Sequence, residues 1–294
     1  MSSPRLDKAF ETLGVIVRQG SEQQSDQVQR ILGALQRHGR LLVHLLDGCD
    51  CIEGYPPASL DDIADRADLA VSVGGDGTLL AAARALVDSA IPLVGINLGR
   101  LGFLADVTLE GLERHLDGIF AGRYSMEQRF LLEGIIEQDG QKPVRQLALN
   151  DIVLHGHESI SMIEFEVYSN GCLINRQRAD GLIVSTPTGS TAYALSGGGP
   201  IMHPSLEAIA LVPICPHTLS HRPIALPSDQ QIEIRLSQTE SIAQVSFDGQ
   251  NRSLIDQTQR IRVRRYPHPV TLLHPEDYDY YHILRAKLNW SNQP

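Results

Sequence analysis

The spacing of apolar residues changes at about residue 129, and this change narrows the folds open to the chain. Before it, short apolar runs such as "TLGVIVRQ" and "ADLAVSV" alternate with amphipathic stretches such as "SDQVQRILGALQRHG". After it, segments such as "SMIEFEVYS" and "QRIRVRRY" alternate apolar and polar residues, and turn dipeptides such as Asp139-Gly140 and Asp248-Gly249 separate them. The first pattern predicts βαβ units and a parallel sheet, whereas the second predicts half-exposed strands joined by tight turns.

Two domains are expected from this change in a chain of 294 residues. We expect an α/β N-terminal domain with a parallel sheet over residues 1–128 and a β-rich C-terminal domain over residues 129–270. The tail includes "EDYDYYHILRAKLNW", which has helical character. We therefore expect a C-terminal helix over residues 271–294 to pack back on the first domain.

Charge, cysteine content and the length of apolar runs argue against several classes of protein. The net charge of -10 disfavours a non-specific nucleic-acid binder, because such a protein needs a basic face to displace counterions. The cysteines are too few and too irregularly spaced for a disulfide framework or a zinc ribbon, which fits a reducing compartment. They are Cys49, Cys51, Cys172 and Cys215. Without an apolar run typical of a signal peptide or a membrane span, we expect a cytoplasmic protein that binds neither nucleic acid nor membrane.

The stretch "VSVGGDGTLL", residues 71–80, places an aspartate between glycines where a predicted strand meets a predicted helix. Gly74, Gly75 and Gly77 permit positive φ angles and a close approach of the backbone to a ligand, and the N–H groups of a helix start face an anion. Thr78 could cap that helix or bind a phosphate. The stretch matches neither the P-loop nor the G-x-G-x-x-G pattern. A tight turn in which Asp76 merely caps the helix explains the glycines equally well.

Five motifs follow one another in an order that resembles a known family. They are "GGDGT", "GINLGRLGFL", "LNDIVLH", "ADGLIVSTPTGSTAYALSGGGPIMHP" and "FDGQ". In this order and at these distances the chain resembles the NAD kinases over nearly its whole length. The resemblance implies an N-terminal α/β domain, a β-rich C-terminal domain, and phosphorylation of the adenosine 2'-hydroxyl of NAD by ATP to give NADP. It also implies a divalent cation, Mg²⁺ or Mn²⁺, and assembly as a homodimer or homotetramer.

The resemblance gives Asp76 a chemical role. As the base for a ribose hydroxyl it would also lie near metal-bound phosphate, and the cation would offset the repulsion between carboxylate and phosphate. Gly75, Gly77 and Thr78 would contact the bound nucleotide beside Asp76. Phe103 in "RLGFL" would line the adenosine region.

The resemblance also assigns residues of the β-rich domain to NAD. Asn150 and Asp151 would satisfy a ribose diol and an adenine edge, although an Asn-Asp pair alone is more typical of a turn. Arg178 would contact a phosphate or a partner and Asp180 the nicotinamide side, although alone they would be interpreted as a surface ion pair. The other predicted NAD contacts are Thr191, Ala192, Tyr193, Ala194, Leu195, Ser196 and Gln250.

Two sets of alternating residues have simpler interpretations. His155 and His157 share a strand face, but no third ligand is evident and magnesium prefers oxygen, so structural or surface histidines are favoured over a zinc site. Arg260, Arg262 and Arg264 indicate a solvated or edge-strand face. A phosphate or intersubunit role for these arginines stays open.

Two other functions also stay open. A kinase with a similar loop that acts on a lipid or a sugar phosphate would leave "STPTGSTAYALSGGGP" unexplained. A non-catalytic NAD(P)-binding sensor would share the binding motifs. The sequence does not decide whether inorganic polyphosphate replaces ATP, whether NADH is accepted, which ligands inhibit, or which residues bind the metal.

Overall fold

The computed structural model describes residues 10–18, 22–46, 52–99, 102–157, 162–218, 220–237 and 242–290. These residues form two units. The first unit lies within Met1–Gln128 and Val270–Pro294, and the second lies within Arg129–Pro269. Cys49 and Cys51 fall outside the described residues, as do Arg100 and Leu101 of the motif "GRLGFL".

Strands and helices alternate in the first part of the chain. The strands are β1 (Thr12–Val17), β2 (Arg40–Leu45), β3 (Leu69–Gly74), β4 (Leu93–Asn97), β5 (Val107–Thr108) and β6 (Tyr124–Arg129). The helices are α1 (Glu22–Gln36), α2 (Leu60–Arg66), α3 (Asp76–Leu86) and α4 (Leu112–Phe120). A capping box starts α2, in which the Ser59 hydroxyl accepts from the Asp62 N–H at 3.0 Å and the Asp62 carboxylate accepts from the Ser59 N–H at 3.0 Å.

Strands dominate the second unit. They are β7 (Leu132–Gln138), β8 (Val144–Ala148), β9 (Asp151–Gly156), β10 (Ile163–Ser169), β11 (Cys172–Ala179), β12 (Gly181–Ser185), β13 (Ala208–Ile214), β14 (Ile224–Pro227), β15 (Ile232–Leu236), β16 (Ala243–Phe247), β17 (Asn251–Ile255) and β18 (Gln259–Arg265). A 3-10 turn, Thr188–Thr191, and the short helix α5 (Tyr193–Ser196) follow β12.

Two antiparallel six-stranded sheets make up this unit. Their strand orders are β11-β10-β15-β18-β7-β8 and β14-β13-β12-β9-β16-β17. One hydrophobic core contains residues of both sheets, including the fully buried Phe165 of β10 and Phe247 of β16. The sheets therefore pack face to face. Within the second sheet, antiparallel pairing places β12 and β16 on either side of β9.

The last strand and helix return to the first unit. They are β19 (Val270–Pro275) and α6 (Tyr280–Leu288). The sheet of this unit has the order β2-β1-β3-β4-β19-β6, with β5 beside β4. Pairing is parallel between β1 and β2, β1 and β3, β3 and β4, β4 and β5, and β4 and β19.

The predicted helix over residues 271–294 is wrong in its first part. Residues Val270–Pro275 form β19, and Leu272 pairs with Leu93 of β4. Leu272 and Leu273 are both 1% exposed. Because successive residues of a strand point to opposite faces of the sheet, both faces of β19 are buried, which is typical of a strand inside a parallel sheet. Helix α6 starts only after Asp279, whose carboxylate accepts from the Tyr281 N–H at 2.8 Å.

The predicted fold class, an α/β N-terminal domain with a parallel sheet and a β-rich C-terminal domain, is confirmed. Strands β1, β3 and β4 lie inside the first sheet and are apolar on both faces, which explains their continuous apolar runs. Among the described residues, no helix is both long and apolar enough to span a membrane.

Candidate active site

The glycine turn of the first unit joins β3 to α3. Gly75 is the N-cap of α3, with φ of -119°, and Gly77 lies inside the helix, so the positive φ angles expected at these two glycines are not found. Gly74 does have a positive φ, 158°, and a Cβ there would in addition overlap the Thr78 hydroxyl. Thr78 is 2% exposed and does not cap the helix. Of the three glycines of this turn, Gly75 is the exposed one, and no atom lies within 4 Å of the position that a Cβ would take there.

Asp76 does not cap its own helix. Its carboxylate accepts hydrogen bonds from three consecutive backbone N–H groups, those of Phe103 at 3.0 Å, Leu104 at 3.2 Å and Ala105 at 3.1 Å. Because a carboxylate offers about four lone-pair sites, these donors leave room for roughly one more. The interpretation of Asp76 as a simple helix cap is therefore wrong, and its side chain instead fixes a loop about 30 residues further along the chain.

Gly102 makes this contact possible. A Cβ at this position would overlap Oδ1 of Asp76, so a larger residue would push the loop away from the carboxylate. The same loop places Phe103 beside Asp76, and the ring of Phe103 lies 5.8 Å from Nζ of Lys287 in α6. Two residues that the family resemblance assigned to the nucleotide, Asp76 and Phe103, are thus brought together.

The second unit contains a cavity of about 770 Å³. It brings together five of the predicted NAD contacts, which are Asn150, Asp151, Asp180, Ala192 and Tyr193. The wall is completed by Val153, His155, Gly156, His157, Met162, Ile214, Ser246, Asp248 and Gly249. Residues from Asn150 to Gly249, up to 99 positions apart in the sequence, therefore share one concave surface of a size suited to a small ligand.

A carboxylate also positions Asn150 and Asp151. Asp248 accepts from the N–H groups of Leu149 at 3.1 Å, Asn150 at 2.7 Å and Asp151 at 3.3 Å. Asp248 and Gly249 have φ of 50° and 66° and form the turn between β16 and β17, as the Asp-Gly dipeptide predicts. The dipeptide predicts this turn but not the contacts of Asp248, although Asp248 belongs to the family motif "FDGQ".

The "STPTGST" turn lies directly against Asn150. Thr186 donates from its backbone N–H to the Asn150 carbonyl at 2.9 Å, and its hydroxyl donates to the Leu149 carbonyl at 2.6 Å. A Cβ at Gly189 would overlap the Asn150 carbonyl oxygen. Glycine is therefore required for this close approach, and no spacing in the sequence predicts it.

Six predicted NAD contacts of the second unit lie outside the cavity wall. They are Arg178, Thr191, Ala194, Leu195, Ser196 and Gln250. Ala194 is 1% exposed and packs in the core with Ile183 and Val212, so its side chain does not face a ligand. Thr191 donates its hydroxyl to the Thr188 carbonyl at 3.3 Å. Arg178, Ser196 and Gln250 are exposed, and Leu195 is half-buried.

Among the residues of the cavity wall, Asp151 is the one whose carboxyl pKa is clearly shifted. Burial, and next the charge of Asp248, raise the pKa of its carboxyl group from 3.8 to about 7. The Asp151 side chain is 4% exposed. Perturbed carboxyl groups in a cavity are typical of functional sites, because the same low-dielectric surroundings strengthen contacts to a ligand.

The alternating histidines and arginines have separate surroundings. Nδ1 of His155 lies 2.8 Å from the Gly156 carbonyl, and both His155 and His157 belong to the cavity wall. Within the described part of the chain, no group of three or more His, Cys, Asp or Glu side chains is arranged so that it could hold a metal ion. The arginines lie on β18, which is inside its sheet rather than at the edge. Arg260 and Arg262 pair with Glu137 at 2.8 and 3.1 Å, and Arg264 pairs with Glu133 at 2.6 Å.

Comparison with known proteins covers most of the chain. Residues 54–124 match the model of the ATP-NAD kinase N-terminal domain, and residues 149–274 match that of the ATP-NAD kinase C-terminal domain. NAD kinases of Nitrosospira multiformis and Nitrosococcus oceani are each 44% identical to this chain, and the match covers 98% of this chain and 99% of each relative.

Solved structures of the same kind share the fold. The crystal structure of yeast NADH kinase complexed with NADH has a TM-score of 0.87 over 98% of this chain and 90% of its own, at 24% identity. An NAD kinase from Archaeoglobus fulgidus in complex with ATP has a TM-score of 0.73 over 94% of this chain and 98% of its own, at 28% identity. The fold and these matches define a two-domain kinase. The chain belongs to the NAD kinase family, which confirms the predicted family and enzyme class.

The raised pKa of Asp151 predicts a stability that falls with rising pH. Between pH 3.8 and about 7 the folded chain keeps a proton that the unfolded chain has lost, so the free energy of unfolding decreases through this window and levels off above it. Asp151→Asn removes this titration. We expect it to exceed the parent in stability at about pH 8, by at most roughly 4 kcal/mol, and to match it below about pH 4.

Urea unfolding at several pH values measures this difference. The exposed Asp139 in the turn after β7 provides the matched control, and Asp139→Asn should keep the pH dependence of the parent. A parental pH dependence in Asp151→Asn would show that Asp151 is not the buried titrating group.

Proposed function

We propose that this chain transfers the γ-phosphoryl group of ATP to the adenosine 2'-hydroxyl of NAD, giving NADP and ADP. In this reaction a bond forms between the 2'-oxygen and the γ-phosphorus, the bond between that phosphorus and the β-γ bridging oxygen breaks, and the hydroxyl proton leaves. The observation that carries the proposal is the cavity formed by Asn150, Asp151, Asp180, Ala192 and Tyr193. These residues come from the family motifs and lie on one surface.

Asn150 provides a specific reason to place adenosine in this cavity. Its Oδ1 is buried and has no hydrogen-bond partner within the described chain, and an unmet buried acceptor is unfavourable by about 1–3 kcal/mol. The exocyclic amino group of adenine is a donor that would satisfy it. The adjacent Asp151, with a pKa of about 7, can both donate to and accept from a ribose diol near neutral pH. Tyr193 is 48% exposed and offers a ring face for a planar ligand group.

ATP is proposed to bind with its phosphates at the start of α3. The backbone N–H groups of a helix start attract anions, and Gly75 leaves open space there. We propose that Gly75, Gly77 and Thr78 contact the nucleotide through the backbone of this turn. Since Thr78 is 2% exposed, its hydroxyl is not the contacting group.

The residues fit a divalent cation that arrives with the phosphates of ATP. Such a cation is bound mainly by substrate phosphates and water, so the Asp76 carboxylate need only lie near it as a compensating charge, and the lone-pair site that its three hydrogen bonds leave open stays available to the substrate. When bound, Mg²⁺ or Mn²⁺ would neutralise charge that develops on the transferred group.

Asp76 is proposed to accept the proton of the 2'-hydroxyl. Its remaining lone-pair site is available for one hydroxyl donor, and the loop amides hold the carboxylate in one orientation. Pre-orientation of a base lowers the entropic part of the barrier.

Other predicted contacts of the nucleotides are also proposed. We propose that Arg178 contacts a phosphate or a partner subunit, that Asp180 contacts the nicotinamide side, and that Phe103 lines the adenosine region. The remaining proposed contacts of NAD are Thr191, Leu195, Ser196 and Gln250. We also propose a cytoplasmic homodimer or homotetramer.

Product formation tests the proposed reaction. Purified chain with ATP, magnesium and NAD should yield NADP, measured with an NADP-specific dehydrogenase. The same assay with polyphosphate as donor, and with NADH, a lipid or a sugar phosphate as acceptor, defines specificity. NAD binding without any product would instead indicate a sensor, and faster transfer to a lipid or sugar phosphate would indicate a different kinase.

Asp76→Asn tests the proton acceptor. The amide keeps the size of the side chain and one acceptor oxygen but loses the negative charge, so we expect kcat to fall by roughly 10² to 10⁴ with NAD affinity largely kept. A loose transition state needs little early help from a base, which would place the loss at the lower end. Asp65→Asn, in an exposed position on α2, is the control. Rescue by higher magnesium would assign Asp76 to cation placement, and turnover near that of the parent would remove its catalytic role.

Asp151→Ala tests the NAD site. Removing a carboxyl group that pairs with ribose leaves substrate hydroxyls unmatched, so the KM for NAD should rise about 5- to 150-fold, equivalent to about 1–3 kcal/mol, with the KM for ATP little changed. Asp139→Ala should leave both constants unchanged. An equal rise in the two constants would count against a contact specific to NAD.

A further inference from the structure

A histidine of the first unit lies buried between two carboxylates. Nδ1 of His274 on β19 is 2.7 Å from Oδ2 of Asp106, and its Nε2 is 3.4 Å from Oε2 of Glu127 on β6. The side chains of His274 and Asp106 are 2% and 6% exposed. The ring of Tyr278 stacks on the imidazole with centroids 3.9 Å apart. The imidazole is therefore fixed by groups on three sides.

The surroundings of His274 favour its charged form. Burial alone would lower the pKa of the imidazole, but the hydrogen bond to Asp106 and the nearby carboxylates of Asp106 and Glu127 raise it above its ordinary value. A charged imidazole then compensates the buried carboxylate of Asp106. Removing one partner of such a pair leaves an uncompensated buried charge, which strongly disturbs the surrounding segment.

Asp106 directly follows the loop that holds Asp76. Phe103, Leu104 and Ala105 donate their N–H groups to Asp76, and the next side chain in the sequence binds His274. The loop is thus tied at one end to α3 and at the other to β19. A shift of Asp106 would move the amides that orient the Asp76 carboxylate.

We propose that His274 is a positioning residue for phosphoryl transfer: its ion pair with Asp106 fixes residues 102–106, and the amides of this loop fix the Asp76 carboxylate. The inference rests on the proposed function, because it takes Asp76 as the acceptor of the substrate proton. His274 itself does not contact the substrate. Its effect is therefore expected in kcat rather than in the binding of ATP or NAD.

Two substitutions separate positioning from general stability. The amide nitrogen of His274→Asn takes nearly the place of Nδ1 and can still donate to Asp106, whereas that of His274→Gln lies nearer the place of Nε2. With rates normalised to folded protein, His274→Gln should lower kcat about tenfold or more, with KM for ATP and NAD within about twofold. His274→Asn, which keeps a donor to Asp106 but not the charge, should lose less kcat than His274→Gln. His282→Gln, on the exposed face of α6, is the control.

A double-mutant cycle with Asp76 completes the test. If His274 acts through Asp76, His274→Gln should lower kcat by less than about twofold in the Asp76→Asn background. An equal loss in both backgrounds, or parental kcat in His274→Gln, overturns the positioning role and leaves the proposed function intact. Parental kcat in Asp76→Asn alone overturns the role of Asp76 instead. Should His274→Gln not fold, Asp106→Asn must show the same loss and the same dependence on Asp76, and its failure to do so overturns the proposal.

Discussion

In each unit, one carboxylate that accepts three consecutive backbone N–H groups organises the candidate site. Asp76 binds the amides of residues 103–105, and Asp248 binds those of residues 149–151. Hydrogen bonds to a charged acceptor stabilise by about 1.5–3 kcal/mol each, more than neutral ones. Loops that have few sheet hydrogen bonds of their own are thereby held in one conformation. The positions of Phe103, Asn150 and Asp151 all depend on these hydrogen bonds to Asp76 and Asp248.

The two carboxyl groups for which we propose different tasks have different surroundings. Asp76 is half-buried and hydrogen-bonded by the loop, whereas Asp151 is buried beside a second carboxylate and has a pKa of about 7. A charged, fixed group suits acceptance of a proton, and a group near its titration point suits a ribose diol that both donates and accepts. Separate environments are a general way in which one fold assigns different roles to chemically identical side chains.

The features that could be predicted from the sequence are those that depend on residues close together along the chain. The change of periodicity at about residue 129 predicted the fold class, and Asp248-Gly249 predicted its turn. Strand β19 was missed because Leu272 and Leu273 are both buried, and a strand buried on both faces lacks the period of two. The contacts of Asp76 with Phe103 and of Asp106 with His274 join residues 27 and 168 positions apart. No propensity or spacing encodes such pairs, and the three-dimensional fold alone brings them together.

The most direct measurement is the hydrogen exchange of individual backbone amides in the parent chain and in Asp76→Ala. The amides of Phe103, Leu104 and Ala105 should be protected in the parent, and their exchange should accelerate about tenfold or more in the variant, because each loses its acceptor. The amides of Leu149 and Asn150, which bind Asp248, serve as the internal reference and should be unchanged. Unprotected loop amides in the parent, or the same protection in Asp76→Ala, would contradict the account.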